Sequence, residues 1–146
     1  MSAYQTVVVG TDGSDSSLRA VERAARIAGA DAKLIIASAY LPQHEDARAV
    51  DALKGESYKV TGTAPIYEIL HDAKERAHQA GAKNVEERAI EGAPVDALVE
   101  LAESEKADLL VVGNVGLSTI AGRLLGSVPA NVSRKAKVDV LIVHTT

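Results

Sequence analysis

Residues 108–127 read DLLVVGNVGLSTIAGRLLGS. The run Asp108 to Gly113 (DLLVVG) passes directly into Gly113 to Ser127 (GNVGLSTIAGRLLGS), which holds four glycines, two serines and no lysine. A short, continuous Leu/Val run suits a strand covered on both faces, the signature of a parallel sheet. Glycines placed straight after such a strand let a ligand approach the backbone where a side chain would block it.

Three further runs share this character: Tyr4 to Gly10 (YQTVVVG), Lys33 to Tyr40 (KLIIASAY) and Val138 to His144 (VDVLIVH). A fifth, Asn84 to Ile90 (NVEERAI), is more polar, as an edge strand would be. Amphipathic stretches lie between them. Ser16 to Ala28 sets Leu18, Val21, Ala25 and Ala28 on one face, with Asp15 or Ser16 as N-cap and Gly29 as the stop. Ile66 to Ala80 repeats the pattern, Pro94 to Ser104 opens with proline in the first turn, and Val128 to Ala136 follows the glycine segment. Strand and helix alternate throughout, which reads as a doubly wound α/β fold with an open, parallel, five-stranded sheet. Only Leu41 to Pro65, long, polar and rich in turn residues, breaks the rhythm, and the whole chain, 1–146, is expected to form a single domain.

Composition narrows the function classes. The chain has 146 residues, 47% of them hydrophobic, with no Phe, no Trp and four Tyr, so the core must be aliphatic and base-stacking platforms are scarce. A formal net charge of −4 argues against a nucleic-acid partner, which needs clustered Lys and Arg. Zero cysteines exclude disulfides, Cys-based zinc sites and thiol chemistry. With no basic segment leading into a long apolar stretch and no run of spanning length, the expectation is a cytoplasmic protein with no membrane attachment.

In open parallel sheets, ligands sit outside the carboxyl ends of the strands where the strand order reverses. The first and fourth strands flank that crevice here. The first ends in Gly10-Thr11-Asp12-Gly13-Ser14 and the fourth in Gly113-Asn114-Val115-Gly116. Gly10 and Gly13 could serve only a tight turn that needs positive φ. That reading does not reach Gly126-Ser127, which opens the last helix with backbone N–H groups and a hydroxyl, a ready anion site.

The pattern G-x2-G-x9-G-S, made by Gly113, Gly116, Gly126 and Ser127, resembles the nucleotide-binding motif of the universal stress protein family, and Asp12 resembles that family's acidic residue on the adenosine side. The resemblance covers essentially the whole chain. It implies a Rossmann-like sheet of the adenine nucleotide alpha-hydrolase-like type, with strand order 3-2-1-4-5. It further implies an adenine-nucleotide ligand, ATP or cyclic AMP, in a stress-response or signalling module with slow or no hydrolysis. By position, Gly113, Gly116, Gly126 and Ser127 would hold phosphates with the Asn114 and Val128 backbones nearby. Asp12, between Gly10, Thr11 and Gly13, would accept from ribose hydroxyls, and backbone groups around Ala39 would meet the adenine edge. Any Mg²⁺ would arrive with the nucleotide and be held by phosphate oxygens. Arg123, the only cation in the segment, is either a solvated surface residue or a phosphate contact. Family members pair as dimers through the last strand, and the strongly apolar Val138 to Val143 at a sheet edge independently calls for a covering copy.

The rival enzyme readings are weaker. Thr11 to Ser16 (TDGSDS) partly matches the S-G-G-x-D-S loop of ATP-pyrophosphatases, but the Asp12 carboxylate would stand where that loop needs a glycine against phosphate. No H-x-G-H pair of a nucleotidyltransferase occurs, and the third strand ends in Ala89-Ile90-Glu91-Gly92, without the aspartate of a phosphoacceptor domain. His44-Glu45-Asp46 are most simply solvent-exposed, so no metal site and no catalytic residue is expected.

Overall fold

The computed structural model describes residues 4–40, 64–113, 132 and 134–144. Its elements run β1 (Thr6–Gly10), α1 (Asp15–Ala28), β2 (Lys33–Tyr40), α2 (Ala64–Gln79), β3 (Asn84–Glu91), α3 (Pro94–Ser104), β4 (Leu109–Gly113) and β5 (Asp139–Val143). All strand pairs are parallel, in the order β3-β2-β1-β4-β5 that the family resemblance implies.

The period of two along each strand divides the core into two layers. Val7 and Val9 of β1, Leu34 and Ile36 of β2, and Leu109 and Val111 of β4 point to the face covered by α1 and α2. Val8, Ile35, Ala37, Leu110 and Val112 point the other way, against Leu98 and Leu101 of α3 and against Val132. The three central strands are therefore buried on both faces, which explains their unbroken Val/Ile/Leu composition. At one edge, β3 carries Glu86 and Arg88 instead of core residues. These join Lys33 and Glu105 in a network with contacts of 3.0 Å (Lys33–Glu86), 3.2 Å (Arg88–Glu86) and 2.8 Å (Arg88–Glu105), tying the end of α3 to the sheet. At the other edge, β5 leaves Val140 and Leu141 half-buried and Ile142 exposed.

Local signals account for most element ends. The N-cap of α1 is Ser14, not Asp15 or Ser16: Ser14 is extended (φ −72, ψ 158) and its hydroxyl accepts the Ser17 N–H at 3.1 Å. Asp15 instead occupies the first turn, where a carboxylate favours the positive end of the helix dipole. Gly29 stops the helix at φ 61, donating its N–H to Ala25 O at 2.8 Å. Helix α2 begins two residues before the expected Ile66, and β3 runs one past Ile90. Of the expected helix Val128 to Ala136, Val132, Arg134 and Lys135 are helical, Ala136 is not, and residues 128–131 and 133 lie outside the described residues. Residues 41–63 of the long polar segment also lie outside them.

Candidate nucleotide site

From β1 the chain crosses to β2 through α1 on one face, and from β3 it reaches β4 through α3 on the other. The strand order therefore reverses between β1 and β4, and the crevice at their carboxyl ends is the natural ligand position. The last registered pairs around β1 are Gly10 with Ala37 of β2 and Val9 with Val111 of β4. Beyond them the chain turns away at Thr11, whose N–H still donates to Ala37 O at 2.9 Å. Because main-chain groups of alternate strand residues face the same side, Ala39 directs its N–H and C=O like Ala37, toward the place β1 has vacated.

The turn from β1 to α1 is held by hydroxyls. Thr11 is 1% exposed, as is Ser17. Ser17 Oγ donates to Ser14 O at 3.0 Å, and with its single proton so engaged, its 2.7 Å contact with Thr11 Oγ1 has Thr11 as the donor. Gly13 N–H donates to Thr11 Oγ1 at 3.1 Å, Asp12 N–H to Ser17 Oγ at 3.3 Å, and Ser14 N–H to Asp12 Oδ1 at 2.9 Å. Three consecutive amides, from Asp12 to Ser14, are thus engaged inside the turn, and the Thr11 amide is taken by β2. A loop that cradles pyrophosphate must offer such N–H groups to its ligand. This one offers acceptors instead, the Asp12 carboxylate foremost among its side chains.

Gly13 explains itself locally. Its φ is 87, and a Cβ there would stand 3.0 Å from Ile69 Cγ1 on α2, so both the backbone and the neighbouring helix require glycine. Gly10, by contrast, is an ordinary strand residue and is not among the glycines with positive φ. The positive-φ expectation thus holds for one of the pair. Gly10 sits instead in a small cleft with Thr11, Asp12, Ala37 and Ala39, closed on the far side by Pro94 and Leu98 of α3. The lining is aliphatic except at Thr11 and Asp12.

Five of the sequence-derived site residues, Gly10, Thr11, Asp12, Gly13 and Ala39, therefore come together at one sheet end, and Gly113 closes β4 beside them. Asn114, Gly116, Arg123, Gly126, Ser127 and Val128 lie outside the described residues. Pro94 and Leu98 escaped the sequence reading as lining residues because their apolar pattern marks a helix face and nothing more. Ser17 escaped because its hydroxyl sits inside a helix; the density of hydroxyls in TDGSDSS was the one available hint. Among the described residues, no group of three His, Asp or Glu could hold a metal ion. A larger hollow, about 550 Å³, opens between β3 and α3, but Glu91, Glu100 and Glu103 line it and would repel an anionic ligand, so size does not mark it as the nucleotide site.

A universal stress protein of Mycobacterium tuberculosis is 90% identical over 146 residues, covering 100% of both chains. Another from Methanocaldococcus jannaschii is 35% identical over 144 residues, 96% of this chain and 82% of the relative. A crystal structure of a universal stress protein in complex with cAMP is 66% identical, covers 99% of this chain and 100% of its own, and superposes with a TM-score of 0.76. The model of the Universal stress protein family matches residues 3–144, and with these relatives it shows that the chain belongs to the universal stress protein family.

Proposed function

We propose that this protein is an adenine-nucleotide-binding module of stress response or signalling, without significant catalytic turnover. The observation that carries the reading is the β1–α1 turn: its amides are engaged internally, and it presents a carboxylate beside the main chain of Ala39 at the switch point. A carboxylate accepts hydrogen bonds from ribose hydroxyls, while the N–H and C=O of Ala39 suit the donor and acceptor edge of adenine. Phosphate recognition is assigned, by the family motif, to Gly113, Asn114, Gly116, Gly126, Ser127 and Val128, with Arg123 as the one cation of that segment. The 66% identical structure that holds cAMP supports the ligand class.

The segment lacks the lysine that P-loop enzymes set against the outer phosphates, so the same loop suits cyclic AMP, with one phosphate charge, as well as ATP with any Mg²⁺ it brings. We assign the chain a cytoplasmic location, a single domain, and a homodimer formed by pairing β5 with its copy, which would cover Leu141 and Ile142. The turn speaks against the pyrophosphatase alternative, since it has no amide between Thr11 and Ser14 to spare for phosphate. Incubation with ATP followed by product analysis tests the assignment. Binding without turnover is expected; hydrolysis at ~1 s⁻¹ or faster, abolished by changing one site side chain, would refute it.

A further inference from the structure

Resting on the assignment of Asp12 to the ribose, we infer that Ser17 is a positioning residue for nucleotide recognition, acting through the Asp12 turn without touching the ligand. Ser17 is 1% exposed, too deep in the fold to meet a nucleotide. Yet it is the node of the turn. Its oxygen accepts from Thr11 Oγ1 (2.7 Å) and from the Asp12 N–H (3.3 Å), its proton goes to Ser14 O (3.0 Å), and its own N–H is held by Ser14 Oγ (3.1 Å). The order of donors gives one directed chain, from Gly13 N–H through Thr11 and Ser17 to Ser14 O. Every member has a single hydroxyl proton or amide and each is used, so removing Ser17 Oγ leaves the Thr11 hydroxyl and the Asp12 amide without their partner at once. The turn then loses the Ser17 contact to the Asp12 N–H and the Thr11 contact that braces it, while the core beneath it, Leu18 and Val21 of α1 included, is expected to keep its packing.

The role is specific enough to separate from general destabilisation. Ser17→Ala is expected to weaken cyclic AMP binding by about tenfold, the scale of one well-placed hydrogen bond to a charged group. The same variant should bind 2′-deoxy cyclic AMP as the unmodified protein does, and in an Asp12→Ala background the Ser17 effect should vanish. Val21→Ala, which loosens the same helix away from the turn, should lower stability and leave affinity unchanged. Should Ser17→Ala not fold, Thr11→Val breaks the same chain from its other end and carries the same expectation. In the ligand-free protein, hydrogen exchange at the Asp12 and Gly13 amides should accelerate in Ser17→Ala, a readout that stands whether or not a nucleotide binds. Unchanged exchange at those amides would overturn the positioning role directly. So would a folded Ser17→Ala with the original affinity, or a loss of equal size on 2′-deoxy cyclic AMP or in the Asp12→Ala background. Fast exchange with no cyclic AMP binding by the unmodified protein would refute the nucleotide assignment, and the role of Ser17 in recognition would fall with it.

Discussion

Replacing Gly13 by alanine tests the account of the turn in its own units. Gly13 has φ 87, and the added Cβ would meet Ile69 Cγ1 at 3.0 Å, Cδ1 at 3.3 Å and Cγ2 at 3.4 Å. An L-residue held in the left-handed region costs about 1–2 kcal/mol. The nearest contact involves an inner carbon of a half-buried side chain, so Ile69 must shift as a unit, adding about 1–2 kcal/mol in the range of mild overpacking. The sum, about 3 kcal/mol, corresponds to a fall of roughly 6–12 °C in Tm for a chain of this size. Urea denaturation and thermal melting of Gly13→Ala measure it, and a cycle with Ile69→Ala separates the parts. In the Ile69→Ala background the steric share should disappear, leaving about 1–2 kcal/mol from the backbone. A Gly13→Ala protein within about 0.5 kcal/mol of the original would refute the claim that backbone and helix both demand glycine here.

Three other outcomes are expected. Asp108 experiences desolvation that raises its pKa, outweighed by the N–H groups of Gln5 and Thr6, which leave it below the usual carboxylate value. Its contribution is therefore present above the unfolded pKa of about 3.9 and lost as pH falls through the lower folded value; Asp108→Asn should flatten that part of the acid unfolding curve, and an unchanged curve would contradict the clasp. Glu105→Gln removes a 2.8 Å partner from Arg88 and a 3.9 Å partner from Lys33. It should cost about 0.5–1 kcal/mol at low salt and less at about 1 M salt, as read by denaturation at both ionic strengths. Ile142→Lys places a charge on the exposed side of β5, where light scattering should find a dimer converted to a monomer; an unmodified protein that is monomeric without aggregating would remove the basis for that dimer.

The fold was legible because its signals are redundant. VVV in β1, LII in β2 and LLVV in β4 are buried on both faces, so continuous apolar runs had one economical explanation, and the polar NVEERAIE had to take an edge. Element ends were less legible. The cap of α1 fell on Ser14 because three consecutive residues, Ser14, Asp15 and Ser16, can all cap, and only the backbone angles separate them. The gathering of residues at the strand ends was legible where glycine and carboxylate follow a strand directly, at Gly10 to Gly13 and Gly113. It was illegible at Ser17, Pro94 and Leu98, whose roles depend on which helix face the sheet twist brings over the strand ends, a property of packing between distant residues.

In the proposed reading, one site at the β1–β4 switch point binds adenine nucleotides with Asp12 on the ribose side. Isothermal titration of the nucleotide-free protein with cyclic AMP, repeated in saturating ATP and with Asp12→Ala, tests it most directly. One site per chain, competition between the two ligands, and binding to Asp12→Ala weakened by about tenfold or more are expected. No binding of either nucleotide, ATP binding indifferent to saturating cyclic AMP, or an Asp12→Ala protein that binds as the original does would contradict it.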